Sequence, residues 1–283
     1  MRWQNKRLSD NVEDRRGGGG MRNIGIGGGI GGIIIIVLAL LFNKDPQTVL
    51  QQVQPGGAST ETSETVTAGS DESARMASTV LASTEDVWTQ QFSALNKTYT
   101  PPKMILFSNA TESGCGFAQS AMGPFYCPAD DKVYLDLTFF DEMRQRFNVV
   151  GDFAQAYVIA HEVGHHVQNL LGISNKVQAM RQRMSETEYN KMSVKLELQA
   201  DFLAGLWAHH AEKMDAILES GDIEEALNAA SAVGDDKLQQ ATQGRVVPDA
   251  FTHGTSEQRM YWFKKGFTTG DIKQGDTFAE INN

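Results

Sequence analysis

The feature that most constrains this chain is the motif H-E-x-x-H at residues 161–165, which lies in an apolar run with helical character. Side chains four residues apart lie on one face of a helix, so His161 and His165 can offer imidazole nitrogens to one metal ion. Glu162 follows the first histidine and leans toward the same cavity. The arrangement is typical of a zinc site whose carboxylate activates water, although the pattern also arises by chance in roughly one such chain in a hundred.

Two further features favour a metal site over chance. Gly164 interrupts the helical run at a cost of about 1 kcal/mol against alanine, which indicates close approach by another backbone or a ligand. The chain has six histidines, and three of them, His161, His165 and His166, fall in this one turn.

A third metal ligand is predicted from two acids on a later apolar helix. Glu197 and Asp201 are four residues apart, and their neighbours are mostly leucine, alanine and phenylalanine. Two buried carboxylates are costly unless positive charge holds them, which disfavours the alternative of an exposed acidic stripe. We assign Glu197 as the third ligand and expect Asp201 to accept a hydrogen bond from the distal nitrogen of His161.

The remaining histidines have weaker signals. His253 and Arg259 lie around a predicted helix start, and either could stabilise an oxyanion, while a capping or packing role for His253 stays equally open. His166 points off the metal face and is expected just behind the ligands. His209 and His210 have no acid or cysteine at useful spacing, so we expect surface or packing roles.

The chain begins with a basic stretch and an uncharged apolar run. The formal net charge is −10, which argues against a nucleic-acid partner, but residues 1–23 carry a local charge of +3. Residues 24–42 contain no charge and are long enough to cross a bilayer. A signal-peptide core or a buried helix are the alternatives, but no small-residue cleavage site follows.

These patterns predict a membrane-anchored protein with one outward domain. Residues 1–23 are expected to be a cytoplasmic tail without regular structure, and residues 24–42 a single transmembrane helix. Residues 43–75 have the composition of a flexible linker. Residues 76–283 would form the domain, facing the periplasm or the exterior.

The domain is predicted to be mainly α with a small β-sheet, the α+β class. Helices are expected over about 84–96, 139–147, 153–171, 191–213, 222–234 and 255–266, and strands over 103–108 and 131–138. The second strand is either an edge on which an extended substrate pairs or an ordinary sheet strand. Cys115 and Cys127 are expected to form a disulfide outside the cytoplasm, the alternative being two ligands of a second metal.

The motifs together resemble the bacterial neutral zinc metallopeptidase family. The resemblance rests on HEVGHHVQNLLG (161–172), ELQADFLAGLWA (197–208), HGTSEQR (253–259) and DTF (276–278), and covers nearly the whole chain. Glu197 with Asp201 also resembles, more distantly, the E-x-x-x-D element of gluzincins such as thermolysin and the membrane-linked M48 peptidases. The resemblance implies a zincin-like peptidase domain behind a membrane anchor, and it raises the expectation that His253 takes part in catalysis.

The sequence therefore predicts a membrane-anchored zinc endopeptidase that uses one Zn²⁺ ion. His161, His165 and Glu197 would hold the ion, Glu162 would be the general base, and a peptide or protein would be the substrate. The alternative is a catalytically silent, metal-stabilised scaffold or binding protein. Nothing in the sequence predicts the oligomeric state.

Overall fold

The computed structural model describes residues 1–16 and 71–280, and the elements within them are mostly helical. The strands are β1 Val12–Asp14, β2 Lys103–Phe107, β3 Ala110–Ser113, β4 Gly116–Gln119, β5 Phe125–Cys127 and β6 Lys132–Asp136. The helices are α1 Glu72–Ala94, α2 Thr138–Phe147, α3 Asp152–Leu170, α4 Ile173–Met180, α5 Glu186–Asp215, α6 Asp222–Ala232, α7 Asp235–Gln243, α8 Ser256–Thr269 and α9 Thr277–Glu280. This confirms the predicted α+β class.

The long helix α5 is the centre of the core, and small residues let two other helices approach it closely. A Cβ atom on Gly205 would lie 2.0 Å from the carbonyl oxygen of Phe263 in α8. The reciprocal contact is equally tight, because a Cβ atom on Gly266 would lie 2.0 Å from the carbonyl oxygen of Phe202. Gly164 of α3 packs on α5 in the same way, with its Cβ position 3.1 Å from the carbonyl oxygen of Ala200. The close approach predicted from Gly164 is confirmed.

Two helix ends differ from the prediction because tertiary contacts override local signals. The prediction that a helix starts at Thr84 is wrong, since α1 begins at Glu72 and Thr84 is fully buried within it. The predicted stop at Gly266 is also wrong, because this glycine is a packing position inside α8. Ser185 and Glu188 form a capping box at the start of α5.

The main sheet has the strand order β1-β2-β6-β5. Strands β1, β2 and β6 are parallel, and β5 pairs antiparallel to β6. Of the two alternatives left open for residues 131–138, the ordinary sheet strand is the one observed, because β6 is paired on both sides, with β2 and with β5. A separate hairpin, β3 with β4, is joined to β5 by the Cys115–Cys127 disulfide, which confirms the predicted pairing.

The first sixteen residues are folded, so the expectation of an unstructured tail over 1–23 is wrong for 1–16. Met1 and Trp3 are buried in the core, and β1 is a strand of the main sheet. Disorder was predicted from the polar average composition of the segment, which does not reflect the few apolar side chains that are buried. The predicted span 24–42 and residues 43–70 of the predicted linker lie outside the described residues. Among the helices that the structure describes, none is long and apolar enough to cross a membrane.

The packing of α5 against α8 leads to a stability prediction for Gly205→Ala. At an open helical position, alanine would stabilise by about 1 kcal/mol relative to glycine. Here the new methyl overlaps a backbone carbonyl, and overpacking of this kind costs about 1–3 kcal/mol or more. We expect a lower midpoint of urea unfolding for Gly205→Ala, and no change beyond about 0.5 kcal/mol for the exposed Lys191→Ala in the same helix. Unchanged or increased stability of Gly205→Ala would contradict this packing.

Candidate metal centre

The structure brings the three predicted ligands together between α3 and α5. His161 Nε2 lies 3.2 Å from Glu197 Oε2, and His165 Nε2 lies 3.4 Å from Glu197 Oε1. One donor atom from each of the three side chains lies within 4.8 Å of the others. Each carboxylate oxygen therefore faces a different imidazole, around one small central space.

The second nitrogen of each imidazole has its own acceptor. His161 Nδ1 lies 2.9 Å from Asp201 Oδ1, as predicted, and His165 Nδ1 lies 2.9 Å from Gln168 Oε1. When each Nδ1 keeps its proton, Nε2 is the nitrogen that can release its proton and bind a metal ion in the shared space. Sequence reasoning missed Gln168, although a glutamine three residues after a ligand histidine in an apolar helix was a usable signal.

Gln168 is itself fixed by contacts to α5. Its Nε2 donates to the carbonyl oxygen of Leu196 at 2.7 Å and to Gln199 Oε1 at 3.1 Å. The side chain is fully buried, so its orientation is set by these bonds rather than by solvent. His165 Nδ1 therefore faces the amide oxygen of Gln168, which is uncharged. His161 Nδ1 instead faces the negatively charged carboxylate of Asp201.

Asp201 is the centre of a buried network behind His161. Arg259 donates from Nε to Asp201 Oδ2 at 2.8 Å and from Nη2 to Oδ1 at 3.0 Å. The hydroxyl of Tyr157 donates to Asp201 Oδ1 at 2.5 Å and accepts from Arg259 Nη2 at 3.2 Å. Asp201 is fully buried and Arg259 is 4% exposed.

This network places Arg259 away from the oxyanion role that the sequence left open. Its guanidinium is committed to Asp201 and Tyr157 behind the ligand histidine. Burial alone would raise the pKa of Asp201, but the charges and hydrogen bonds of Arg259 and His161 together hold that pKa below its ordinary value. Burial lowers the pKa of His161, yet the charge and hydrogen bond of Asp201 raise it to about 10. A metal ion that binds His161 must therefore displace a proton.

The set of donors fits a zinc ion. Zinc in catalytic sites takes imidazole nitrogen and carboxylate oxygen from three protein side chains and leaves one position open. The site supplies two imidazole nitrogens and one carboxylate, and both imidazoles have the acceptor at their distal nitrogen that ligand histidines require. His161 and Glu197 are mostly shielded from solvent, with side chains 7% and 17% exposed.

Glu162 lies on α3, directly after the ligand candidate His161, and is half-buried. Burial raises the pKa of its carboxyl group, and the charges of His161 and His165 lower it in part. The net pKa is above the ordinary value, which is the direction that suits a carboxylate acting as a general base near neutral pH.

His253 is held beside the site by an aspartate that sequence reasoning missed. Its Nδ1 lies 3.1 Å from Asp235 Oδ1, and Asp235 Oδ2 accepts from the backbone N–H groups of Thr252, His253 and Gly254 at 2.8, 2.6 and 2.9 Å. Burial lowers the pKa of His253, but the Asp235 hydrogen bond and the Glu197 charge raise it above the usual 6.5. The imidazole thus gains positive character next to Glu197.

The other three histidines connect secondary-structure elements. His166 is buried, with Nδ1 3.1 Å from the Tyr126 hydroxyl and Nε2 2.7 Å from the carbonyl oxygen of Thr100. His209 and His210 contact the carbonyl oxygens of Phe267 and Gly270 at 2.7 and 2.9 Å. Of the surface and packing roles expected for His209 and His210, packing is the one observed, and His166 joins α3 to β5.

The buried Asp201–Arg259 pair predicts a large effect of removing one partner. We expect Arg259→Met to lower the free energy of unfolding by about 3–5 kcal/mol, because an uncompensated carboxylate stays buried. Adding Asp201→Asn removes that charge, so the double variant should be more stable than the sum of the two single effects predicts. Urea unfolding with the disulfide intact measures all three, with the exposed Arg245→Met as control. An effect of Arg259→Met no larger than that of the control would contradict the network.

Comparisons with known proteins show the family of the chain. Residues 1–278 match the model of a family described as "Putative neutral zinc metallopeptidase". The chain is 51% identical over 287 residues to "Uncharacterized protein YpfJ" of Escherichia coli (strain K12), covering 99% of each chain. It is 46% identical over 191 residues to "Uncharacterized protein Rv2575" of Mycobacterium tuberculosis, covering 64% of each. No solved structure matches the chain. The match to the family model extends over almost the whole sequence, and the chain therefore belongs to this neutral zinc metallopeptidase family.

Proposed function

We propose that the protein is a zinc-dependent endopeptidase in which His161, His165 and Glu197 hold one zinc ion. The observation that carries the proposal is the convergence of two imidazole Nε2 atoms on the two oxygens of one carboxylate, at 3.2 and 3.4 Å. Membership of a zinc metallopeptidase family supports the same activity. Asp201 and Gln168 would fix the orientation of the two histidines.

Each side chain around this centre has a separate role in the proposed hydrolysis of a peptide bond. A zinc ion held there supplies Lewis acidity and lowers the pKa of water to about 7. Glu162 accepts the proton of the attacking water and passes it to the leaving amine. His253, whose pKa Asp235 helps to raise, donates a hydrogen bond to the oxygen of the scissile carbonyl as negative charge develops.

Strand β5 is the best-placed element to bind an extended substrate. Among the strands that the structure describes, it is the outer strand of the main sheet on the side opposite β1, and it packs against α3. Tyr126 in β5 anchors this edge, because its hydroxyl lies 3.1 Å from both His166 Nδ1 and Asn169 Nδ2. A peptide pairing with β5 would have its backbone held along the helix that carries Glu162.

The second candidate is a metal-stabilised scaffold or binding protein without turnover. A structural zinc site usually has four protein ligands, and the described residues supply three around this centre. The general-base candidate Glu162 would also have no task in a purely structural site. Both points favour the peptidase.

The central experiment compares Glu162→Gln with the wild-type chain. Because the amide cannot accept the proton of water, we expect cleavage of casein or of a peptide library to fall about 10²–10⁴-fold. Zinc content should be unchanged, since Glu162 is not among the three ligands. The matched control is Glu186→Gln at the exposed start of α5, which should retain wild-type cleavage.

Two outcomes would contradict the proposal. Wild-type cleavage by Glu162→Gln would remove the general-base role. A zinc-loaded wild-type protein that cleaves no member of a broad peptide library would favour the scaffold instead.

A further inference from the structure

Residues 1–16, here called the N-terminal arm, contact the domain along most of their length. Met1 and Trp3 are 5% and 8% exposed and belong to the main hydrophobic core. Trp3 Nε1 donates to Asp152 Oδ2 at 3.0 Å, at the first residue of the helix that carries the H-E-x-x-H motif. The backbone N–H of Arg2 donates to the carbonyl oxygen of Ile217 at 2.7 Å.

The C-terminal half of the arm is part of the main sheet. Strand β1 pairs in parallel with β2, with Val12 opposite Met104 and Asp14 opposite Leu106. Backbone hydrogen bonds of 2.8 Å flank this pairing on both sides, from Met104 to Asn11 and from Arg15 to Leu106. The arm therefore covers an edge of β2 that would otherwise present unpaired backbone groups.

A buried carboxylate in the domain finds its partners in the arm. Glu85 lies in the middle of α1 and is 7% exposed. Its oxygens accept hydrogen bonds from Ser9 Oγ at 2.5 Å, Asn11 Nδ2 at 2.8 Å and Arg7 Nη1 at 3.0 Å. Without these donors, the buried carboxylate would destabilise the fold by several kcal/mol. The arm therefore contributes to the stability of the domain.

The arm ends where the rest of the domain begins. Arg16 Nη1 donates to Asp71 Oδ2 at 2.5 Å, and Asp71 is the N-cap of α1. Residues 17–70, which contain the apolar run 24–42, connect these two points. A single crossing by that run would put a hydrocarbon layer of about 30 Å between two side chains that are in contact.

We infer that the N-terminal arm and residues 71–280 lie on the same side of any membrane that the apolar run enters. The packing excludes one crossing between Arg16 and Asp71, and with it the expected topology of a cytoplasmic tail and an outward domain. An exchange of arms between two copies of the chain would not permit a single crossing either. With one crossing per chain, every arm would lie on one side of the membrane and every domain on the other. The inference does not depend on peptidase activity.

Single-cysteine labelling of the full chain in membranes tests this topology. The two native cysteines are joined in a disulfide, so an added cysteine is the reactive thiol. Gln4→Cys reports the arm and Asn175→Cys reports the domain, and both positions are exposed. Each variant is treated with a membrane-impermeant maleimide in right-side-out and in inside-out vesicles. We expect both variants to be labelled in the same vesicle orientation. Labelling of the two variants in opposite preparations would overturn the inference.

A cross-link in the same membranes tests the packing directly. The backbone nitrogen of Ser9 lies 3.1 Å from Ser78 Oγ, so Ser9→Cys with Ser78→Cys should form a disulfide on mild oxidation. A protease site inserted within residues 43–70 then allows the chain to be cut. We expect the two fragments to stay joined without reductant and to separate with it. Fragments that separate without reductant, as in the single Ser9→Cys control, would contradict the packing.

Discussion

The candidate metal centre depends on one buried carboxylate, Asp201. It receives hydrogen bonds from Arg259 and Tyr157 and faces Nδ1 of His161, all within the core. An isolated charge could not remain there, so the guanidinium must accompany it. The same arrangement fixes which nitrogen of His161 is free, and thus where a metal ion can bind. Stability and chemistry are coupled in this cluster, because α3, α5 and α8 each contribute to it.

Close contacts between helices make this cluster geometrically possible. Gly164 brings α3 onto α5, and Gly205 with Gly266 brings α8 onto the opposite side of α5. The two approaches place His161, Glu197 and Arg259, from three separate helices, within reach of one another. The N-terminal arm adds a further constraint at the other end of α3, through Trp3 and Asp152.

Features that depend on helical periodicity could be predicted from the sequence. The four-residue spacings of His161 with His165 and of Glu197 with Asp201 place each pair on one helix face, so the predicted cluster could be named in advance. Long-range contacts could not be predicted in this way. Asp235 meets His253 only because a loop folds back on α7, and the sites that hold the arm, such as Glu85, read locally as helix-start signals. Strand β5 at the outer side of the sheet was not predicted, because it is three residues long and has no clear alternation.

The most direct test of the account is to locate the metal in crystals of the zinc-loaded protein by anomalous scattering at the zinc edge. We expect one strong peak per chain, between the Nε2 atoms of His161 and His165 and the carboxylate of Glu197, and its loss in Glu197→Ala. A peak bound by other side chains, or no peak in protein supplied with zinc, would contradict it.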